Sequence, residues 1–284
     1  MILRKAGSGA LCSMEQQGVQ GVAAEQGKID PMHQFTIEPL FGTDHWTIAG
    51  YYIPFTNSAL WMGFATLALL VFVWGGMKRE LVPGRWQMAV EGFTGFIDNL
   101  LAANIGKAGK KYVPYVFSLF MFILFANVLG LLPLGLIPGV HPFTFTSHFT
   151  ATGVLAILSF AIVLIVGFWK HKLHFFSLFI PHGTPLPMIP LIFVIELVSF
   201  LVRPFSLGLR LFVAMMAGHV LLEVLSGFVI NGLNAGLGIG PVVSILSFTL
   251  MVAICALEIL VAGIQAYVFA LLTSLYINDA EHLH

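Results

Sequence analysis

The sequence predicts an all-α polytopic membrane protein. Five long membrane helices and one amphipathic interfacial helix are expected, the last two long helices forming an antiparallel hairpin. Three observations predict it. Of 284 residues, 58% are hydrophobic and only 9% are charged, against about 25% charged in soluble domains. The mean hydropathy is +0.94. The apolar residues gather into five runs, each long enough to cross a hydrocarbon core of ~30 Å, which needs about 20 helical residues.

The elements follow in order. Residues 1–31 are rich in Gly, Gln and Ala and lack the apolar core of a signal peptide. They read as a flexible polar tail, with Met14 and Met32 as alternative starts. Residues 32–284 read as a single membrane domain. The first span is expected at Ser58–Trp74. The stretch "GRWQMAVEGFTGFIDNLLAANIG" at 84–106 follows. Trp86, Val90, Phe93, Ile97, Leu100 and Leu101 share one helical face, and Gln87, Glu91, Thr94 and Asp98 share the other. That is an amphipathic helix suited to an interface. Further spans are expected at Pro114–Ile137 and Thr150–Trp169. The last two runs, Met188–Phe228 and Pro241–Ile277, are too long for a simple crossing: ~60 and ~55 Å of helix. Either they lie steeply tilted or each breaks in two. Pro204 could kink the fourth without stopping it. "NGLNAGLGIGP" at 231–241 reads as the loop of the hairpin.

Lysines and arginines set the expected sidedness. The 75–113 loop holds Lys78, Arg79, Arg85, Lys107, Lys110 and Lys111, and the 170–187 loop holds Lys170 and Lys172. The loops at 138–149 and 229–240 hold none. By the positive-inside rule the first two loops are cytoplasmic, with the N-terminus outside and the C-terminus inside. Arg4, Lys5 and Lys28 in the tail cut slightly against this but lie far from the first span.

Several function classes drop out. Basic and acidic residues balance at 13 each, so there is no nucleic-acid footprint. Cys12 and Cys255 show no metal-ligand spacing. His141, His148, His171, His174 and His182 fall on both sides of the membrane, which argues against one shared metal or haem site. His219 and Glu223 at i,i+4 offer only two ligands. No metal or cofactor is expected. No GxxxxGK[ST] phosphate loop is present, so nucleotide binding belongs elsewhere.

The last two spans carry Glu196, Arg203, Arg210, His219, Glu223, Glu258 and Gln265 inside apolar sequence. An arginine at a bilayer centre costs at least ~2.5–3.5 kcal/mol and does not escape by losing its proton. Glu196, Arg203 and Arg210 are spaced by seven and share a face. His219 lies roughly opposite Arg210, and Glu223 shares the face of His219. Antiparallel helices align residues whose numbers add to a constant. Arg210 with Gln265 gives 475 and His219 with Glu258 gives 477, so one register serves both. Counting from the helix ends instead levels Arg210 with Glu258. Either way, titratable groups flank a permanent positive charge: His219, Glu223 and Glu258 on the outer side, Glu196 on the inner. That is the layout of a proton route interrupted by a barrier. Arg203 has a plainer reading as a structural partner of Glu196. Glu223 has one as a group reaching the outer headgroups. Asn127 in "FANVLGLLP" has one as a bond to a neighbouring helix.

Three stretches carry a family resemblance: "IELVSFLVRPFSLGLRLFVAMMAGH" at 195–219, "ANVLGLLP" at 126–133 and "ALEILVAGIQAYVFALLTSLYI" at 256–277. In this order they resemble the a subunits of F-type ATP synthases, over about residues 35–280. The resemblance implies that the long hairpin lies tilted against a rotor. It also implies that Arg210 is the family's essential arginine and that His219 and Glu258 are titratable inlet positions. Glu196 and Gln265 match family polar positions. Ala214 departs from the pattern, standing where the family usually has Asn. The implied function is proton translocation through two offset half-channels, with no covalent catalysis on this chain. The implied partners are a rotor ring of c subunits, peripheral-stalk b subunits, membrane lipid and, indirectly, a soluble ATPase head. The polar tail favours a bacterial plasma membrane, with a mitochondrial inner membrane as the alternative.

Two rivals are weaker. A secondary transporter normally shows internal repeats, and the two halves differ in span length and charge. An intramembrane hydrolase needs a nucleophile within reach of a base; Ser199, Ser206 and Ser226 are present, but GxSxG and HExxH are not.

Overall fold

The computed structural model describes residues 47–48, 51–52, 56–77, 84–131, 144–172, 188–234 and 238–281. The tail 1–31, Cys12, Lys78, Arg79, His141, His174, His182 and the end of the second expected span, 132–137, lie outside the described residues. A two-residue antiparallel ladder, β1 (Thr47–Ile48) with β2 (Tyr51–Tyr52), precedes the helices; the sequence reading did not foresee it.

Six helices follow: α1 (Asn57–Gly76), α2 (Arg85–Asn104), α3 (Val113–Leu131), α4 (Phe149–His171), α5 (Ile189–Asn234) and α6 (Gly240–Glu281). Among the described residues, five segments are long and apolar enough to cross a membrane: α1, residues 106–131 ending in α3, α4, α5 and α6. The fold is thus an all-α polytopic membrane architecture. Caps set some of the ends. Thr56 starts α1 by accepting from the Ala59 amide at 3.4 Å. Gly106 turns the chain at a φ of 75° after α2.

Helix α5 has 46 residues and α6 has 42, and both are continuous. Of the two readings of the long runs, the break is therefore overturned. Pro204 lies inside α5; a single missing N–H removes one ladder bond, which a long helix in a packed environment tolerates. Helix α2 does not bury its apolar face uniformly. Gln87, expected on the polar face, is buried, while Trp86, expected on the apolar face, is exposed. Gln87 donates to Glu91 at 2.8 Å, so its amide is buried with a partner. Trp86 sits in the first turn, with its ring edge-to-face with that of Phe72 at 5.7 Å between centroids.

The chain divides into two compact units. In one, residues 220–251, the end of α5 meets the start of α6. Ser244 donates to the Val229 carbonyl at 3.0 Å. In the other, residues 35–219 with 252–284, α1, α2 and α3 pack on one another. Its core joins Ile97 and Leu101 of α2, Val116 and Ile123 of α3, Val163 of α4, Leu211 and Met215 of α5, and Phe269 of α6. Small residues recur every fourth position on α6: Ala262, Ala266, Ala270 and Ser274 are all fully buried. Such a stripe lets helices approach closely where lipid gives no hydrophobic drive to associate. Asn127 of α3 crosses to the Ala262 carbonyl at 3.4 Å, and Asn104 of α2 to Ser274 at 2.6 Å.

Candidate functional site

Three segments bring polar side chains together in the larger unit. His219 comes from α5 and Glu258 from α6. Thr144 comes from the residue before a 3-10 turn at Phe145–Ser147. The Thr144 hydroxyl lies 2.8 Å from His219 Nε2, and Glu258 Oε1 lies 3.9 Å from the same nitrogen. Two glycines make room for this. A β-carbon on Gly218 would meet the Glu258 carboxylate, and one on Gly130 would meet the Thr144 side chain. Glu258 and Thr144 therefore each stand where a neighbouring helix presents no side chain. The His219–Glu258 contact belongs to an antiparallel register summing to 477, not to one that levels Arg210 with Glu258.

The Glu258 side chain is 3% exposed, yet neither carboxylate oxygen accepts a hydrogen bond from a described residue. A buried polar group left so costs about 1–3 kcal/mol, more if charged. Native folds keep few such groups, and each calls for an explanation. An imidazole 3.9 Å from a carboxylate can pass a proton to it through a small approach. The hydroxyl of Thr144 either donates to Nε2 or accepts from it, according to the tautomer.

The two arginines of α5 differ sharply. Arg203 binds Asp279 of α6 at 2.8 Å and lies 4.0 Å from Glu196. Its guanidinium also faces the rings of Phe200 and Tyr276, at 5.7 and 5.4 Å. Arg210 is exposed on α5, with the exposed apolar side chains of Leu209 and Val213 nearby in the helix. Among the described residues it forms no ion pair. Gln265, half-buried on α6, makes no hydrogen bond to it among the described residues. Glu196 is half-buried, and Glu223, in the smaller unit, is half-buried on α5.

Of the loop histidines, His148 occupies the N-cap position of α4 without a side-chain cap bond; burial pushes its pKa below the usual imidazole value. Among the described residues no three His, Cys, Asp or Glu side chains are grouped to hold a metal.

Sequence reasoning missed Thr144, Asp279 and Glu281. Asp279 could have been found by extending the antiparallel register, since its number and that of Arg203 sum to within a turn or two of 477. Thr144 gave no signal, because its approach depends on Gly130 and on the turn after it.

The chain matches the family described as ATP synthase A chain over residues 59–278. It is 78% identical over 259 residues to ATP synthase subunit a of Novosphingobium aromaticivorans, covering 91% of this chain and 99% of that one. It is 76% identical over 263 residues to that of Erythrobacter litoralis, covering 93% and 100%. To that of Rhodospirillum rubrum it is 42% identical over 255 residues, covering 89% and 99%.

Proposed function

The chain belongs to the ATP synthase A chain family, and from that premise we propose how its residues divide the work of moving protons. It is a multi-pass protein of the bacterial inner membrane. It translocates protons in support of ATP synthesis and is not itself the catalytic subunit. His219, Glu258 and Glu223 form the outer half-channel, with Thr144 holding His219. Glu223 enters on its sequence spacing alone. Glu196 lines the inner half-channel, and Gln265 adds a polar group near Arg210. Arg203 is structural, tying α5 to the end of α6, and Asn127 ties α3 to α6.

Arg210 separates the two half-channels. It attracts the ionised carboxylate of a passing rotor subunit and bars a direct leak. The observation that carries this reading is its exposure on α5 with no ion pair among the described residues, seven residues from an arginine that has two acids near it. A cation so placed in a membrane needs a partner from another chain. The partners are a ring of c subunits on that face, b subunits of the peripheral stalk and, through them, the ATPase head. Helices α5 and α6 stay within the membrane by lying steeply inclined, since ~69 and ~63 Å of helix exceed the ~40–45 Å of a whole bilayer. Helix α2 lies at the interface. Moving one charge through 100 mV is worth about 2.3 kcal/mol, so one ATP needs several protons and a multi-site ring.

The N-terminus faces outside and the C-terminus the cytoplasm. The convergence of Lys111, Lys170 and Glu281 at one end supports a common side for the loops that contain the first two. ATP-driven acidification of inverted vesicles tests the central claim. Arg210→Ala abolishes it while the complex still assembles, and Arg210→Lys works poorly, because an ammonium can shed its proton and lacks the planar fork. Near wild-type pumping by Arg210→Ala overturns the reading.

A further inference from the structure

Glu281 of α6 draws two lysines to one carboxylate oxygen, Lys111 at 3.0 Å and Lys170 at 2.8 Å. The acid is 3% exposed, while the lysine side chains stay 55% and 44% exposed. The negative charge thus lies behind and two positive charges lie in front. An ammonium has three donors. Lys170 also donates to the Glu281 carbonyl at 3.1 Å, and Lys111 retains donors beyond its bond to Glu281. Beside them opens a groove of about 420 Å³, lined by Lys111, Tyr112, Ile165, Val166, Trp169 and Lys170. Trp169 at its lip is 84% exposed.

The placement along the spans matters. Lys111 lies near the start of the segment 106–131, and Lys170 ends the segment 149–170. Both ammoniums therefore stand at headgroup level, at the same end. Ile165 and Val166 lie about one turn deeper on α4. A basic rim, an interfacial tryptophan and an apolar floor match an amphiphile with an anionic head. We propose that this groove binds one anionic phospholipid, its phosphate between Lys111 and Lys170 and one acyl chain along Ile165 and Val166. An inorganic anion would leave the apolar floor without purpose. The proposal is independent of the proton path and uses none of its residues.

Photo-crosslinking of the intact complex tests it. Trp169→p-benzoylphenylalanine is introduced, and the complex is reconstituted in phosphatidylcholine vesicles with a minority of phosphatidylglycerol. The expected adduct is phosphatidylglycerol, several-fold above its mole fraction. Lys111→Gln in the same background lowers the enrichment towards the mole fraction, and Lys111→Arg keeps it. Ile165→Trp, which fills the floor without touching charge, also lowers it. This arm keeps the proposal testable if Lys111→Gln fails to assemble. Adducts that follow bulk lipid composition overturn the proposal. So does enrichment indifferent to both Lys111→Gln and Ile165→Trp. Loss of enrichment on adding inorganic phosphate assigns the lysines to a free anion and also overturns it.

Discussion

Glu258 and Glu281 lie on one helix and are equally buried, each side chain 3% exposed. Their surroundings are opposite. Glu281 accepts from Lys111, Lys170 and Tyr112 at 2.7–3.0 Å. Glu258 accepts from no described residue, and the His219 imidazole lies 3.9 Å away. A carboxylate saturated by donors holds its charge and fastens helices together. One left unsaturated beside a titratable group is free to exchange a proton. Burial alone does not distinguish the two acids; donor count does.

The comparison breaks most directly at Glu258. Glu258→Gln is expected to cut ATP-driven acidification at least tenfold, with assembled complex near wild-type level, since the amide keeps the shape and removes the proton site. An equal loss of assembled complex would make Glu258 structural. Next comes exchange. His219→Ala and Glu258→Ala each slow proton flow strongly, and His219→Glu combined with Glu258→His recovers much of it, because two groups sharing one proton need only face each other. A double variant no better than the worse single removes the case for a facing pair.

Glu281→Gln should show the reverse pattern. Removing one partner from a buried ion pair costs up to ~3–5 kcal/mol, and less here because the lysines are half-exposed and screened. The expected result is a lower melting temperature and less assembled complex, with a smaller change in flux per complex than Glu258→Gln gives. Thr144→Val is the mildest. It leaves the His219 ring without its hydroxyl, and a severalfold fall in flux is expected, restored by Thr144→Ser. Equal flux in both Thr144 variants would leave the hydroxyl no role at His219.

Much of the fold was legible in the sequence because lipid imposes a simple rule. Runs such as Thr150–Trp169 carry no charge and have the length of a crossing, and α4 spans Phe149–His171. The continuity of α5 through Pro204 was not legible, since a proline's effect depends on the packing around it. In the site, His219 and Glu258 stood out as ionisable groups in apolar sequence. Asp279 and Glu281 did not, because they follow the apolar run, where charge is ordinary and only tertiary contact gives it meaning. The small stripe from Ala262 to Ser274 carried no chemistry to notice, yet it sets how closely α3 and α2 approach α6.

The unbroken course of α6 has a metric consequence. At 1.5 Å per residue, Glu258 stands about 35 Å along the axis from Glu281. If the lysine-bound end rides at the headgroups, the depth of Glu258 is that length multiplied by the cosine of the helix's inclination. At about 60° it is ~17 Å, near the middle of a bilayer whose core is ~30 Å thick. Depth and inclination are then one variable. A thicker or thinner membrane, which reorients long helices at a cost of fractions of a kcal/mol per Å, raises or lowers Glu258 as a rigid ruler would.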